Sequence, residues 1–159
     1  MVEQRRDTDE KGEIAEALFK EGYSCAQAVV LTFSEEMNTD RETLARLVSS
    51  FGGGMGRLRE VCGAVSGMFI AAGAIKGYAS PDDQAGKAEL YRLVQQMAEE
   101  FKARNGSLIC RQLLGLNAEK DDYHPEKRTE SYYASRPCAK LVRDAAEIAE
   151  QMLLTEESR

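Results

Sequence analysis

Between Glu60 and Lys76 the chain runs for 15 residues, Val61 to Ile75, without a charge. This stretch constrains the fold more than any other. It is too short to cross a bilayer, which takes about 20 predominantly apolar residues. It also lacks the period-two alternation of a half-buried strand. Gly63, Gly67, Ala71 and Ala74 recur every three or four residues, so a helix here has one face with almost no side chain. Val61, Val65, Met68, Phe69 and Ile75 supply bulk elsewhere. Such a segment is expected to be the buried central helix of a bundle.

The rest of the chain supplies its neighbours. Ile14, Ala15, Leu18 and Phe19 mark an amphipathic helix that Gly22 ends. Ser24 is a candidate N-cap for a second helix, from about Cys25 to Met37. Asp40 caps a third, reaching about Phe51 with Leu44, Leu47 and Val48 inward. The central helix is read as Leu58 to Tyr78. Ser80-Pro81 opens a fifth that continues to about Arg104 on Leu90, Leu93, Val94, Met97 and Phe101. Ser107 caps a short helix carrying Cys110, and Pro137 opens a last one from Cys138 to about Leu154. Asn117 to Arg136 reads as a long polar loop, with Tyr123, Tyr132 and Tyr133 packing it onto the bundle. The predicted fold is all-α, one bundle of about six or seven helices spanning 13–154. A polar segment, 1–12, precedes it and a polar tail, 155–159, follows.

Charge narrows the function. Twenty-seven acidic against 21 basic residues leave a net charge of −6. That balance disfavours nucleic acid and anionic membranes as partners, since both select basic surfaces. The first twelve residues are charged and carry no apolar core of a secretory signal, so a cytoplasmic location is expected. Structural disulfides are uncommon there. The only imidazole, His124, is read as a solvated loop residue, and no Ser-His-Asp arrangement is identifiable. Glu60, beside Cys62, reads as a solvated acid.

The four cysteines, Cys25, Cys62, Cys110 and Cys138, therefore carry most of the functional information. No two form a C-x-x-C pair, which argues against zinc knuckles and thioredoxin motifs. Each falls near an expected helix start. Free N–H groups and the positive end of the macrodipole stabilise a thiolate there and lower its pKa. Anionic sulfur serves either a metal or a redox reaction. All four are candidate metal ligands, for zinc or an iron–sulfur centre. Cys25 and Cys62 are the preferred catalytic pair for thiol–disulfide chemistry. A third possibility is a helical interaction scaffold with inert core cysteines.

Gly52-Gly53-Gly54-Met55-Gly56 breaks the helical pattern. It lacks the Gly-Lys-Ser/Thr of a phosphate loop and the strand of a dinucleotide fingerprint. It reads as a structural turn, or as a loop whose N–H groups at Gly53 and Gly54 line an anionic cofactor site, with Arg57 and Arg59 beyond adding charge or simply solvated. Gly63 and Gly67 leave room either for a close helix or for a cofactor beside Cys62. The same small-residue face is a candidate homodimer interface.

Taken together, these residues resemble a known family. Cys62-Gly63-Ala64-Val65-Ser66-Gly67 has one cysteine upstream, in Ser24-Cys25-Ala26-Gln27-Ala28, and two downstream. With the glycine loop and Cys110-Arg111-Gln112-Leu113-Leu114-Gly115, this is similar to the redox-active C_GCAxxG_C_C family, over about Glu21 to Met152. The family label writes Gly-Cys-Ala where this chain reads Cys-Gly-Ala. The resemblance implies a small helical redox protein, as an oxidoreductase or an electron-transfer component working with a redox partner. It also reaches a domain of split-Soret type cytochromes in which cysteines accompany an iron–sulfur centre. This chain has no C-x-x-C-H for haem attachment.

Overall fold

The charge-free stretch does become a buried helix, and the other helices are arranged around it. A computed structural model describes residues 2–116 and 120–155, with the backbone alone for 2–9. Its helices are α1 (Val2–Lys20), α2 (Cys25–Thr32), α3 (Arg41–Leu47), α4 (Gly52–Met55), α5 (Gly63–Lys76), α6 (Gln84–Asn105), α7 (Cys110–Leu113), α8 (Glu130–Ser135) and α9 (Cys138–Leu153). A 3-10 turn at Ser49–Phe51 joins α3 to α4. Among the described residues there is no strand, only an isolated antiparallel bridge between Val61 and Ile109. The fold is all-α, as expected. None of its helices is long and apolar enough to cross a membrane.

In the bundle α5 packs on α2 and α9, and α1 lies along α9. Ala15, Leu18 and Phe19 of α1 meet Val142, Ala145 and Ala149 of α9 in one core with Val29, Val65 and Met68. The small face of α5 is what lets α2 approach. A Cβ on Gly67 would sit 3.0 Å from both the Ala26 carbonyl oxygen and the Val29 Cβ. Buried Met97 and Phe101 dock α6 onto this core, and truncating a ring such as Phe101 to Ala is expected to cost about 3–5 kcal/mol. Arg104 then ties α6 to α9 through Glu147, at 3.1 Å, and Asp144, at 3.6 Å.

Several sequence expectations shift. The helix read from Leu58 begins only at Gly63, because Arg57 and Arg59 have φ of +67° and +59°. The fifth helix starts at Gln84 rather than Ser80, capped by Asp83, whose carboxylate accepts from the Gly86 N–H at 2.8 Å. Leu47 is 65% exposed instead of inward, while Leu44 and Val48 fill the core. Tyr123 is 81% exposed and stacks on His124 rather than packing on the bundle. α8 arises inside the expected loop, capped by Thr129, whose hydroxyl accepts from the Tyr132 N–H. Most of the expected tail, 156–159, lies outside the described residues, as do loop positions 117–119.

Candidate functional site: a four-cysteine cavity

Each cysteine occupies a helix start. Cys25, Cys110 and Cys138 are the first residues of α2, α7 and α9, and Cys62 is the N-cap of α5. Local chemistry sets these positions. At α2, Ser24 and Gln27 form a capping box: the Ser24 hydroxyl accepts from the Gln27 N–H, and the Gln27 side chain accepts from the Ser24 N–H. Gln27 also donates to the Ala45 carbonyl at 2.9 Å, tying this start to α3.

Cys62 and Cys110 are brought together by backbone pairing around the Val61–Ile109 bridge. The Cys62 N–H donates to the Leu108 carbonyl at 2.9 Å, and the Cys110 N–H donates to the Glu60 carbonyl at 2.6 Å. Arg111 reinforces the clip, donating to the Arg59 carbonyl at 3.1 Å and pairing with Glu60 at 2.6 Å. The clip is possible because the glycine loop turns left-handed, with positive φ at every residue from Gly53 to Arg57. Left-handed backbone costs about 1–2 kcal/mol per non-glycine residue, so glycines limit the strain. At Gly54, φ is +67° and a Cβ would fall 2.6 Å from the Cys110 Cβ and 2.8 Å from the Arg59 Cα.

All four cysteines line one cavity of about 60 Å³. Gly53, Gly54 and Gly63 share its wall, whereas Gly67 lies away from it, at the α2–α5 contact. His124 is exposed in its loop. Arg59, Arg128 and Tyr132 complete the polar lining. Arg59 reads in the sequence either as charge added to the site or as simply solvated, and it is 5% exposed. It donates to the Cys110 Sγ at 3.5 Å and pairs with Asp121 at 2.7 Å. Arg128 carried no sequence signal beyond its spacing from Tyr132 and Tyr133, rings over which its guanidinium now lies.

The thiols do not behave alike. Helix starts were expected to lower every pKa, but burial reverses this for three of them. The Cys62 thiol is pushed up to about 12 by burial, against the opposing N–H groups of Val65 and Ala64. Cys110 is also raised by burial, with Arg59 acting against the rise. Cys25 donates a hydrogen bond to Cys138, which, with burial, holds it well above the usual thiol range. Receiving that bond, and facing Arg136, Arg128 and Arg59, Cys138 falls to about 7 despite its burial. The site can therefore present one thiolate with a protonated thiol beside it near neutral pH. Among the described residues, no group of three or more Cys, His, Asp or Glu is arranged to hold a metal ion.

An all-helical bundle with four cysteines around one internal cavity defines a thiol-based class of site. The chain matches, over residues 23–152, the family described as "Putative redox-active protein (C_GCAxxG_C_C)", and it belongs to that family. No curated protein and no solved structure matches it.

Proposed function

We propose that this redox-active protein works as a thiol–disulfide couple in which Cys138 is the attacking sulfur and Cys25 the resolving one. The observation that carries this reading is the placement of Cys25 and Cys138 on one cavity, at the starts of α2 and α9, where Cys25 and the neighbouring guanidiniums depress the Cys138 thiol to about 7. Attack on an oxidant by the Cys138 thiolate is followed by attack of Cys25, giving a disulfide and passing on two electrons. The sequence preferred Cys25 and Cys62. The proposal keeps Cys25 and exchanges its partner, because the protonated Cys62 is a poor nucleophile at neutral pH. A cytoplasmic setting suits the proposal, since the dithiol is then the resting form. Oxidising the reduced protein with one equivalent of diamide tests it. A Cys25–Cys138 disulfide in the peptide map is expected. A Cys25–Cys62 bridge, or four free thiols, contradicts it.

A second reading is favoured by one observation, the convergence of all four cysteines on one cavity. Cys25, Cys62, Cys110 and Cys138 would then hold zinc or an iron–sulfur centre, whose donor chemistry four thiolates match. Such a centre would supply structural closure or one-electron transfer. The side chains are not arranged as a ligand cage, which is why the dithiol reading comes first. Anaerobic purification with elemental analysis separates the two. Iron or zinc at one equivalent or more per chain, with loss of titratable thiols, would favour the metal centre.

A further inference from the structure

The burial of the sulfurs limits what can react with them. Cys62, Cys110 and Cys138 are 3%, 7% and 7% exposed. The space they share with Cys25 is about 60 Å³, and one water needs roughly 10–15 Å³ of such space. A disulfide substrate must bring a sulfur in line with the attacking one, with a substituent on either side. A peptide or protein disulfide has no room for this, whereas a small molecule of a few heavy atoms does.

Charge on and around the cavity wall, where Arg59 and Arg128 line it, points the same way. Arg57 and Arg59 pair with Asp121, and Arg136 pairs with Glu126. Arg128 is held differently. It donates to the carbonyls of Phe19, at 3.0 Å, and Tyr23, at 3.1 Å, and to the Tyr133 hydroxyl at 3.4 Å. Its guanidinium lies 4.4 Å from the centre of the Phe19 ring. All these partners are neutral, and among the described residues no carboxylate pairs with it. A guanidinium that no described carboxylate neutralises, fixed on the cavity wall near the Cys138 sulfur, favours negative charge that develops inside that space.

We propose that the cavity admits a small hydroperoxide and that Arg128 stabilises the oxyanion released as the Cys25–Cys138 pair reduces it. This rests on the dithiol reading and names its oxidant. The Cys138 thiolate attacks one peroxide oxygen. An S–O bond forms, the O–O bond breaks, and the departing hydroxide or alkoxide, held by Arg128, takes the proton of the Cys25 thiol. The Cys25 sulfur then attacks Cys138. An S–S bond forms, the S–O bond breaks, and the released hydroxide takes a proton from solvent. Two electrons pass from the dithiol to the peroxide, which ends as water, or as one alcohol and one water.

The test mixes reduced, anaerobic protein separately with hydrogen peroxide, oxidised glutathione and diamide, and follows thiol count and intact mass. Peroxide is expected to produce the Cys25–Cys138 disulfide, consuming one molecule per chain, and oxidised glutathione to react far more slowly. In Cys25→Ser the reaction should stop at a Cys138 sulfenic acid, read as one added oxygen in the intact mass. Arg128→Gln should slow the peroxide reaction by about 100-fold, with Arg128→Lys partly restoring it. Iodoacetamide, whose leaving group is not an oxyanion, should label Cys138 in Arg128→Gln at the wild-type rate once both proteins are on the plateau of their pH curves. If diamide forms the disulfide but peroxide reacts no faster than with free cysteine, or glutathione reacts as fast as peroxide, this inference fails and the dithiol reading stands. Equal slowing of peroxide and iodoacetamide in Arg128→Gln overturns the role of Arg128. Failure of diamide and of peroxide alike to form the disulfide overturns both readings.

Discussion

The starts of α5 and α9 place the same atom in the same kind of position. Cys62 caps α5 and Cys138 opens α9, and both thiols face the same cavity. Yet Cys62 is pushed up to about 12 while Cys138 falls to about 7. Both are buried, so burial alone does not separate them. Cys138 has a thiol donor in Cys25 and three guanidiniums within electrostatic reach. Cys62 has only backbone N–H groups to oppose its burial, and it feels its sister thiols as like charges. A helix start supplies part of the field a thiolate needs. Here the side chains that other segments bring to it decide the outcome.

The largest expected effect is on alkylation. At pH 7 a thiol with a pKa near 7 is about half ionised, whereas one near 12 is ionised to roughly one part in 10⁵. Iodoacetamide should therefore label Cys138 first, at least about 1,000-fold faster than Cys62, with the Cys138 rate rising through a midpoint near 7. Cys138→Ser should abolish the fast phase and Cys62→Ser should leave it. Comparable labelling of the two residues breaks the comparison.

Next comes stability at alkaline pH. A thiol whose folded pKa is raised keeps its proton after the unfolded chain has lost it. Its contribution is present in full below the unfolded value near 9 and is lost as pH rises from there toward about 12. Cys138 has the opposite sign: its contribution is present above 9 and is lost as pH falls through about 7. Urea midpoints should therefore fall above pH 9, with Cys62 alone accounting for a few kcal/mol. Cys62→Ala should flatten that fall relative to its own value at pH 8. An unchanged slope in this variant would falsify the assignment.

How much of this was legible follows the range of each interaction. The N-cap at Ser24, the small face of α5 and the opening of α9 at Pro137 are local, so the sequence reveals them directly. The stretch from Leu58 to Cys62 reads as helix in the sequence, but its backbone is committed elsewhere, to Leu108 and to Cys110–Arg111. Pairing across about fifty residues overrides local preference. The same holds for the thiols. That Cys25, Cys110 and Cys138 lie at helix starts was readable from caps and prolines. That Cys25 meets Cys138, and that Arg59 and Arg128 turn inward, depends on helices packing far apart in the chain. Tyr132 and Tyr133 hint at Arg128 only once α8 is recognised, and the Thr129 cap is its one local signal.

A smaller effect should come from the glycine turn, which packs against Arg59 and Cys110 at the cavity. Gly54→Ala adds a Cβ at left-handed φ and within 3 Å of Cys110, Arg59 and Glu60. It should cost about 2–3 kcal/mol in denaturant unfolding. At Gly56, where φ is +61° and the Ser50 carbonyl oxygen lies 4.0 Å away, Ala should cost only about 1 kcal/mol. Equal losses at the two glycines would mean that strain alone, not the closeness of Cys110, sets the cost.

The smallest effect isolates the field at α9. Arg136 stands two residues before Cys138 and is the first of the guanidiniums that lower it, after the Cys25 hydrogen bond. It is shared with Glu126, so only part of its charge reaches the sulfur. Arg136→Gln should raise the midpoint of Cys138 labelling by about half to one pH unit, a typical span for one partly screened charge. Labelling of Cys62 should move far less, because burial, the Val65 and Ala64 N–H groups and the neighbouring thiols dominate its shift. Glu126→Gln frees Arg136 and should lower the Cys138 midpoint instead. Opposite displacements at Cys138, with far smaller ones at Cys62, would tie the difference between the two helix starts to the guanidiniums at α9. Parallel displacements at both would return it to the bundle as a whole.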